Sequence, residues 1–129
     1  MNENKLWKHF SVYIRVRDAA PFTGLCKCIT CGRVSDWKNM DCGHGIPRQH
    51  KGTKYSELNN HAQCKVCNGF EGGRQDAYMK AVDKKYGEGT WDKLLVLSRK
   101  TTKYSQFEID TMAEFYKKEG EKLRKEKNI

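Results

Sequence analysis

The sequence predicts an α+β fold, mostly helical, in which a small zinc-stapled core lies between N- and C-terminal helices. Three observations carry that prediction. Two C-x-x-C pairs, Cys28/Cys31 and Cys64/Cys67, bracket a stretch dense in cysteine, glycine and turn residues. Helical apolar patterns flank that stretch on both sides. The chain has 129 residues, 32% charged and only 37% hydrophobic, which suits one domain with a modest core that gains from a staple.

Each element follows from local pattern. Leu6, Phe10 and Ile14, with Tyr13, recur at helical spacing, so residues 1–20 read as an amphipathic helix that stops before Pro21. Residues 26–86 form the core. Within them RVSDWKNMDCGH reads as two short strands around a Lys38-Asn39 turn, with His44 on a hairpin strand. The segment RQHKGTKYS (48–56) reads as a basic polar loop without apolar period. A helix is expected to start near Cys64, pause at Gly72-Gly73 and resume to Tyr86, with Gly87 as its C-cap. Residues 90–127 supply the C-terminal helices. Thr90 is the expected cap of WDKLLVLSRK, and Ser105 with Glu108 has the form of a capping box opening a long last helix. On that helix Ile109, Met112, Tyr116 and Leu123 share a stripe, fit either for the core or for a partner helix.

Charge narrows the function. The formal net charge is +9, with acidic and basic residues interleaved, a balance suited to a polyanionic partner such as DNA. The first residues, MNENKLWKHF, do not resemble a signal peptide, and no apolar run is long enough to span a membrane. The expected location is therefore cytoplasmic, with reduced thiols. Paired C-x-x-C cysteines in that compartment point to metal or redox chemistry, and no thioredoxin-like βαβ context surrounds them. Two such pairs complete a closed tetrahedral Zn²⁺ site from Cys28, Cys31, Cys64 and Cys67. Cys26 offers a third sulfur at the first knuckle, but Gly32 after Cys31 favours the Cys28/Cys31 turn. Cys26 and Cys42 are then spare.

Between and beside the knuckles lie Asp41-Cys42-Gly43-His44-Gly45, then Asn59, then Cys64-Lys65-Val66-Cys67-Asn68. The order His…Asn…C-x-x-C-Asn resembles the HNH nuclease motif in its His-Asn-Asn form. More narrowly, YIRVRD, CITCG, DCGH, NNHAQCKVCN and GGRQDAY resemble the phage recombination-protein family NinG, also called Rap. The likeness covers nearly the whole chain and is most specific over residues 13–78. It implies a ββα-metal core and an endonuclease acting on branched DNA, such as Holliday junctions or forks, with Mg²⁺ or Mn²⁺ at its catalytic site.

Phosphodiester hydrolysis needs a base, a Lewis acid and charge stabilisation. His44 suits the base, its ordinary pKa lying near neutrality, and Gly43 and Gly45 beside it are expected to admit a bulky phosphate. Asn68 follows the second knuckle and offers an oxygen ligand to a hard divalent ion. The HNH pattern places a metal-binding residue immediately before the base, where this chain has Gly43. Asp41 is the nearest carboxylate and could share the ligand role only if the strand bends at Cys42-Gly43. The resemblance gives Asn59 a bracing role through backbone hydrogen bonds. A helix N-cap would look the same in sequence, and Asn60 could exchange with it. His61, Arg48, Lys51, Lys54 and Arg74 are candidate phosphate contacts, with local packing, a solvated loop or a helix start as their plainer uses. Trp7, Trp37 and Trp91 read as packing residues.

The rival to a nuclease is a non-catalytic zinc module that binds nucleic acid as a recombination accessory. A restriction-type enzyme acting on ordinary duplex is a third reading. Paired cuts at a junction are most simply supplied by a homodimer.

Overall fold

Asn2 caps the first helix by accepting a hydrogen bond from the Lys5 amide at 2.9 Å, and α1 (Glu3–Asp18) then buries Leu6, Phe10, Ile14 and Val16 along one face. In this computed structural model, which describes residues 2–129, seven further strands and α-helices precede the last helix. They are β1 (Leu25–Lys27), β2 (Val34–Asp36), β3 (Asp41–His44), α2 (Lys51–Lys54), β4 (Asn60–Gln63), α3 (Gln75–Tyr86) and α4 (Thr90–Ser98). The last is α5 (Gln106–Lys127), opened by the Ser105/Glu108 capping box. The architecture is α+β and mostly helical, as the sequence predicts.

The α5 stripe is core. Tyr116 and Ala113 are buried with Leu6, Phe10 and Ile14 of α1, and Ile109 and Met112 pack against them. Leu123 packs on a second cluster that includes Val16, Trp37, Met40 and Ala62. The far end of α5 also closes α1: the Lys127 ammonium donates to the carbonyls of Val16, Arg17 and Ala19, satisfying acceptors that a helix end leaves unpaired. A third cluster, Ile46, Tyr78, Val82, Trp91 and Leu94, joins α3 and α4 to the loop after β3.

The strands pair differently from the expected hairpin. Both strands foreseen in RVSDWKNMDCGH exist, but a short 3₁₀ turn (Trp37–Asn39) separates them and each finds another partner. Strand β2 pairs antiparallel with β1 across the first cysteine knuckle. Strand β3 pairs antiparallel with β4, with Asp41 opposite Gln63, Gly43 opposite His61 and His44 opposite Asn60. Strand β4, NHAQ, is buried throughout and so lacks the alternation that marks a half-buried strand in sequence. The segment 48–56 is not a plain loop, since it contains the single turn α2, with Thr53 and Tyr55 buried. The helix expected from Cys64 is instead a π-turn (Val66–Phe70) followed by a break before α3. Thr90 is the first residue of α4 rather than its cap, and its hydroxyl donates back to the Gly87 carbonyl. Among the described residues, no helix is long and apolar enough to cross a membrane.

Candidate functional site

The two knuckles meet. The sulfurs of Cys28, Cys31, Cys64 and Cys67 all lie within 4.8 Å of one another, and those of Cys31 and Cys64 are 3.7 Å apart. A tetrahedron of thiolates about 2.3 Å from Zn²⁺ has an edge of roughly 3.8 Å, so the cluster is sized for such an ion. Electrostatics point the same way. Burial opposes ionisation of Cys28, but backbone amides of Cys64, Cys31 and Thr30 and the Thr30 hydroxyl outweigh it and lower the thiol to about 6. At Cys31 the Arg33 amide favours the thiolate, yet desolvation and the three neighbouring sulfurs push the thiol up to about 12. Four crowded sulfurs cannot all ionise unaided, and a divalent cation removes that conflict. Cys26 is buried in the core beside Trp37 and Met40, outside the four-sulfur cluster. Cys42 is buried with its thiol toward the side-chain Oδ1 of Asn60.

A cleft of about 400 Å³ follows β3. Its lining includes Trp7 and Arg15 of α1, Asp41 and His44 at the two ends of β3, Arg48, and Asn68 of the π-turn. Lys38 and Lys65 also line it, so four cations face one carboxylate, a surface suited to an anion. At one end, Asp41 accepts from the Lys65 ammonium at 2.7 Å and from the Asn68 amide at 3.0 Å. The two residues expected to share a catalytic ion are therefore side by side.

His44 closes the other end. Its ring stacks on the Trp7 indole with centroids 4.7 Å apart, and the Arg48 guanidinium lies 4.4 Å from the same indole. Its Nε2 is buried with no hydrogen-bond partner among the described residues. Burial, then the charges of Arg48 and Lys54, push the imidazole down to about 3. His44 is thus neutral at pH 7, the protonation state a proton acceptor needs. Trp7 and Arg15 were not foreseen as site residues, because helical periodicity reads α1 only for its core face.

Gly43 and Gly45 do not leave room for a phosphate. A Cβ at Gly43 would run into the Gln63 side chain, and one at Gly45 would sit 2.6 Å from the Trp91 ring. Both glycines are needed because neighbouring side chains already fill those positions. This also explains why no acid stands immediately before His44. Asp41 lies two residues before Gly43, on the same strand face by alternation, and reaches Asn68 without a bend in β3.

Asn59 is fully buried and is not a helix cap. Its Oδ1 accepts from the Ile46 amide at 2.7 Å, and its Nδ2 donates to the carbonyls of Ile46 and Thr53, tying together the chain on both sides of His50. Asn60 adds two bonds of the same kind, to Lys54 and Ser56 carbonyls. His61 is unavailable to phosphate or metal. It is 1% exposed, and its two nitrogens are paired with the Tyr78 and Tyr86 hydroxyls at 3.0 and 2.7 Å.

Of the four basic candidates, only Arg48 lines the cleft. Lys54 is engaged with Glu3 at 2.9 Å, an ion pair that ties α2 to α1. Lys51 is exposed on α2, where its carbonyl accepts from Tyr104. Arg74 turns its guanidinium toward the Cys67 sulfur, 3.9 Å away, and so belongs to the knuckle.

A family model described as the bacteriophage lambda NinG protein matches residues 2–126. No curated protein and no solved structure matches the chain.

Proposed function

The chain belongs to the bacteriophage lambda NinG family, and from that footing we propose that it is a metal-dependent endonuclease of the HNH kind acting on branched DNA. The observation that carries the reading is the orphaned, buried Nε2 of neutral His44 in a cation-lined cleft whose other end holds Asp41 beside Asn68. A buried nitrogen without a partner is unfavourable unless a ligand or reactant completes it.

The chemistry assigns each residue a task. Arg48, oriented by the Trp7 indole, and Arg15 hold the phosphate oxygens, and Lys65 assists from the rim. His44 Nε2 takes a proton from the attacking water as the new phosphorus–oxygen bond forms and the bond to the leaving sugar oxygen breaks. Burial is the main cause of the depressed basicity of His44, and a bound phosphate offsets only the smaller part that comes from the charge of Arg48. Asp41 and Asn68 fit a hard divalent ion. The carboxylate is placed, the amide can turn its oxygen inward, and Lys65, on a largely exposed side chain, can withdraw. When bound, Mg²⁺ or Mn²⁺ supplies Lewis-acid polarisation of the phosphate. Asn59 holds the loop between strands that carries Arg48.

Paired cuts in a junction call for two copies. The α5 stripe is occupied by α1, so self-association must use another surface.

Cleavage of labelled four-way, forked and linear DNA with Mg²⁺, beside His44→Ala, tests the reading. The variant is expected to cut roughly 10²–10⁴-fold more slowly with zinc content unchanged. Equal rates would remove His44 as the base. The Lys65–Asp41 ion pair, which occupies the acid, favours a second reading, a non-catalytic zinc module. Absence of cutting on every substrate with every divalent metal would establish that one.

A further inference from the structure

We propose that Phe70 is an aromatic wedge that stacks against an unpaired or unstacked base beside the cleft and so selects branched over continuous DNA. The inference rests on the nucleic-acid partner of the preceding reading, not on its chemistry. Phe70 is 94% exposed, more than any other large hydrophobic residue described. Leaving a phenyl ring in water forfeits its burial, and because single exposed apolar residues are common on protein surfaces, the place where this ring is mounted decides its use.

Its mounting is rigid. Phe70 ends the π-turn that carries the zinc ligand Cys67 and the cleft residue Asn68. The Asn68 amide donates to Cys64, Glu71 to Val66 and Gly73 to Cys67, at 2.8–2.9 Å. Positive φ at Gly72 (62°), Gly73 (89°) and Arg74 (49°) then reverses the chain, leaving Phe70 near the apex.

Its position is selective. Gly72 and Gly73 line a second opening of about 210 Å³ that shares His44, Arg48 and Asn68 with the main cleft. In the chain, Phe70 stands between Asn68, which lines both openings, and Gly72 and Gly73, which line the second. The comparably exposed Phe22 and Phe107 lie elsewhere, in the turn before β1 and the first turn of α5. Lys65 precedes the turn and lines the main cleft, Arg74 follows it, and Arg48 lines both openings, so the segment that carries the ring borders a cation-rich site. The ligand class that offers both a flat face and negative charge is a nucleic-acid strand, and apolar side chains that wedge into base steps act where stacking is already weak.

The test measures binding, with Mg²⁺ omitted so that nothing is cut. Fluorescence anisotropy gives Kd for a four-way junction and a continuous duplex of the same sequence, with wild type, Phe70→Ala and Phe70→Trp. Zinc content and circular dichroism are recorded for each. Wild type is expected to prefer the junction. Phe70→Ala should lose about tenfold to hundredfold on the junction and less than about twofold on the duplex, and Phe70→Trp should restore the preference. Three results overturn the proposal: no wild-type preference, equal losses on both DNAs, or no loss on either. A Phe70→Ala variant that turns a dimer into a monomer in sedimentation also overturns it, assigning the ring to a second copy. Binding of neither DNA by wild type defeats the DNA reading itself. A preference kept by a protein that never cuts defeats only the nuclease.

Discussion

Two histidines hang from one pair of strands and meet opposite fates. His44 ends β3 and His61 sits near the start of β4, in adjacent rungs of the ladder. Burial drives both imidazoles down to about 3. The depressed pKa therefore does not distinguish the proposed base from a structural histidine. Hydrogen bonding does. His61 has both nitrogens paired with tyrosine hydroxyls in a core built by α3, whereas His44 stacks on Trp7 and keeps a buried nitrogen unpaired at the wall of an open cleft. The contrast is between a histidine whose partners all lie inside the fold and one whose open nitrogen sits beside a cleft.

The largest disturbance abolishes the contrast by removing what holds both. Strand β4 runs directly into Cys64, and β1–β2 bracket Cys28 and Cys31, so a Zn²⁺ held by the four-cysteine cluster would join both sheets, and losing a ligand should release them. Cys64→Ser is expected to leave the chain without cooperative unfolding, read by circular dichroism and zinc stoichiometry. A cooperative, zinc-free variant would show that the helical clusters suffice.

Separate removal of the two rings sharpens the comparison. His61→Ala should cost about 3 kcal/mol in urea unfolding, because it opens a cavity in the core and removes two hydrogen bonds to tyrosine hydroxyls. His44→Ala should change stability by less than about 1 kcal/mol, since lost stacking on Trp7 is balanced by removal of an unpaired buried nitrogen. Equal losses would mean that the two sites differ less than their hydrogen bonds indicate.

Acid should probe both together. An unfolded chain protonates its histidines near pH 6.5, while these two resist protonation until about pH 3. The unfolded state then binds more protons, so stability is full above about pH 6.5 and falls as pH drops toward 3. Each histidine is expected to account for roughly 2 kcal/mol between pH 7 and pH 5. Urea midpoints across that range check it, and His44→Ala should show about half the slope.

Sequence reached the local features and missed the long-range ones. The C-x-x-C turns, the apolar face of α1 and the Ser105/Glu108 box are each written within a few residues, and each forms. The strand exchange was hidden because β3 finds β4 across a loop, and uniformly buried NHAQ carries no alternation. Trp7 meets His44 only because α1 folds back over β3, a contact that no spacing rule encodes. Gly43 misled for the same reason: it appeared to make room for substrate, but Gln63, from the neighbouring strand, occupies that room.

The smallest effect concerns the open side of the comparison. Lys65 pairs with Asp41 at 2.7 Å, but its side chain is 68% exposed, so the bond is screened and adds little to folding. Lys65→Ala should therefore shift the urea midpoint negligibly, with less than about 1 kcal/mol lost. Its consequence belongs to the cleft. With the ammonium gone, the carboxylate keeps only the Asn68 amide and has a coordination position to offer. If Asp41 and Asn68 hold the catalytic ion, the variant should bind Mn²⁺ more tightly than wild type in calorimetry, while losing a rim contact to phosphate. If Asp41 is only half of a surface ion pair, removing Lys65 will leave Mn²⁺ binding unchanged, and the acid of the site must be sought elsewhere in the cleft.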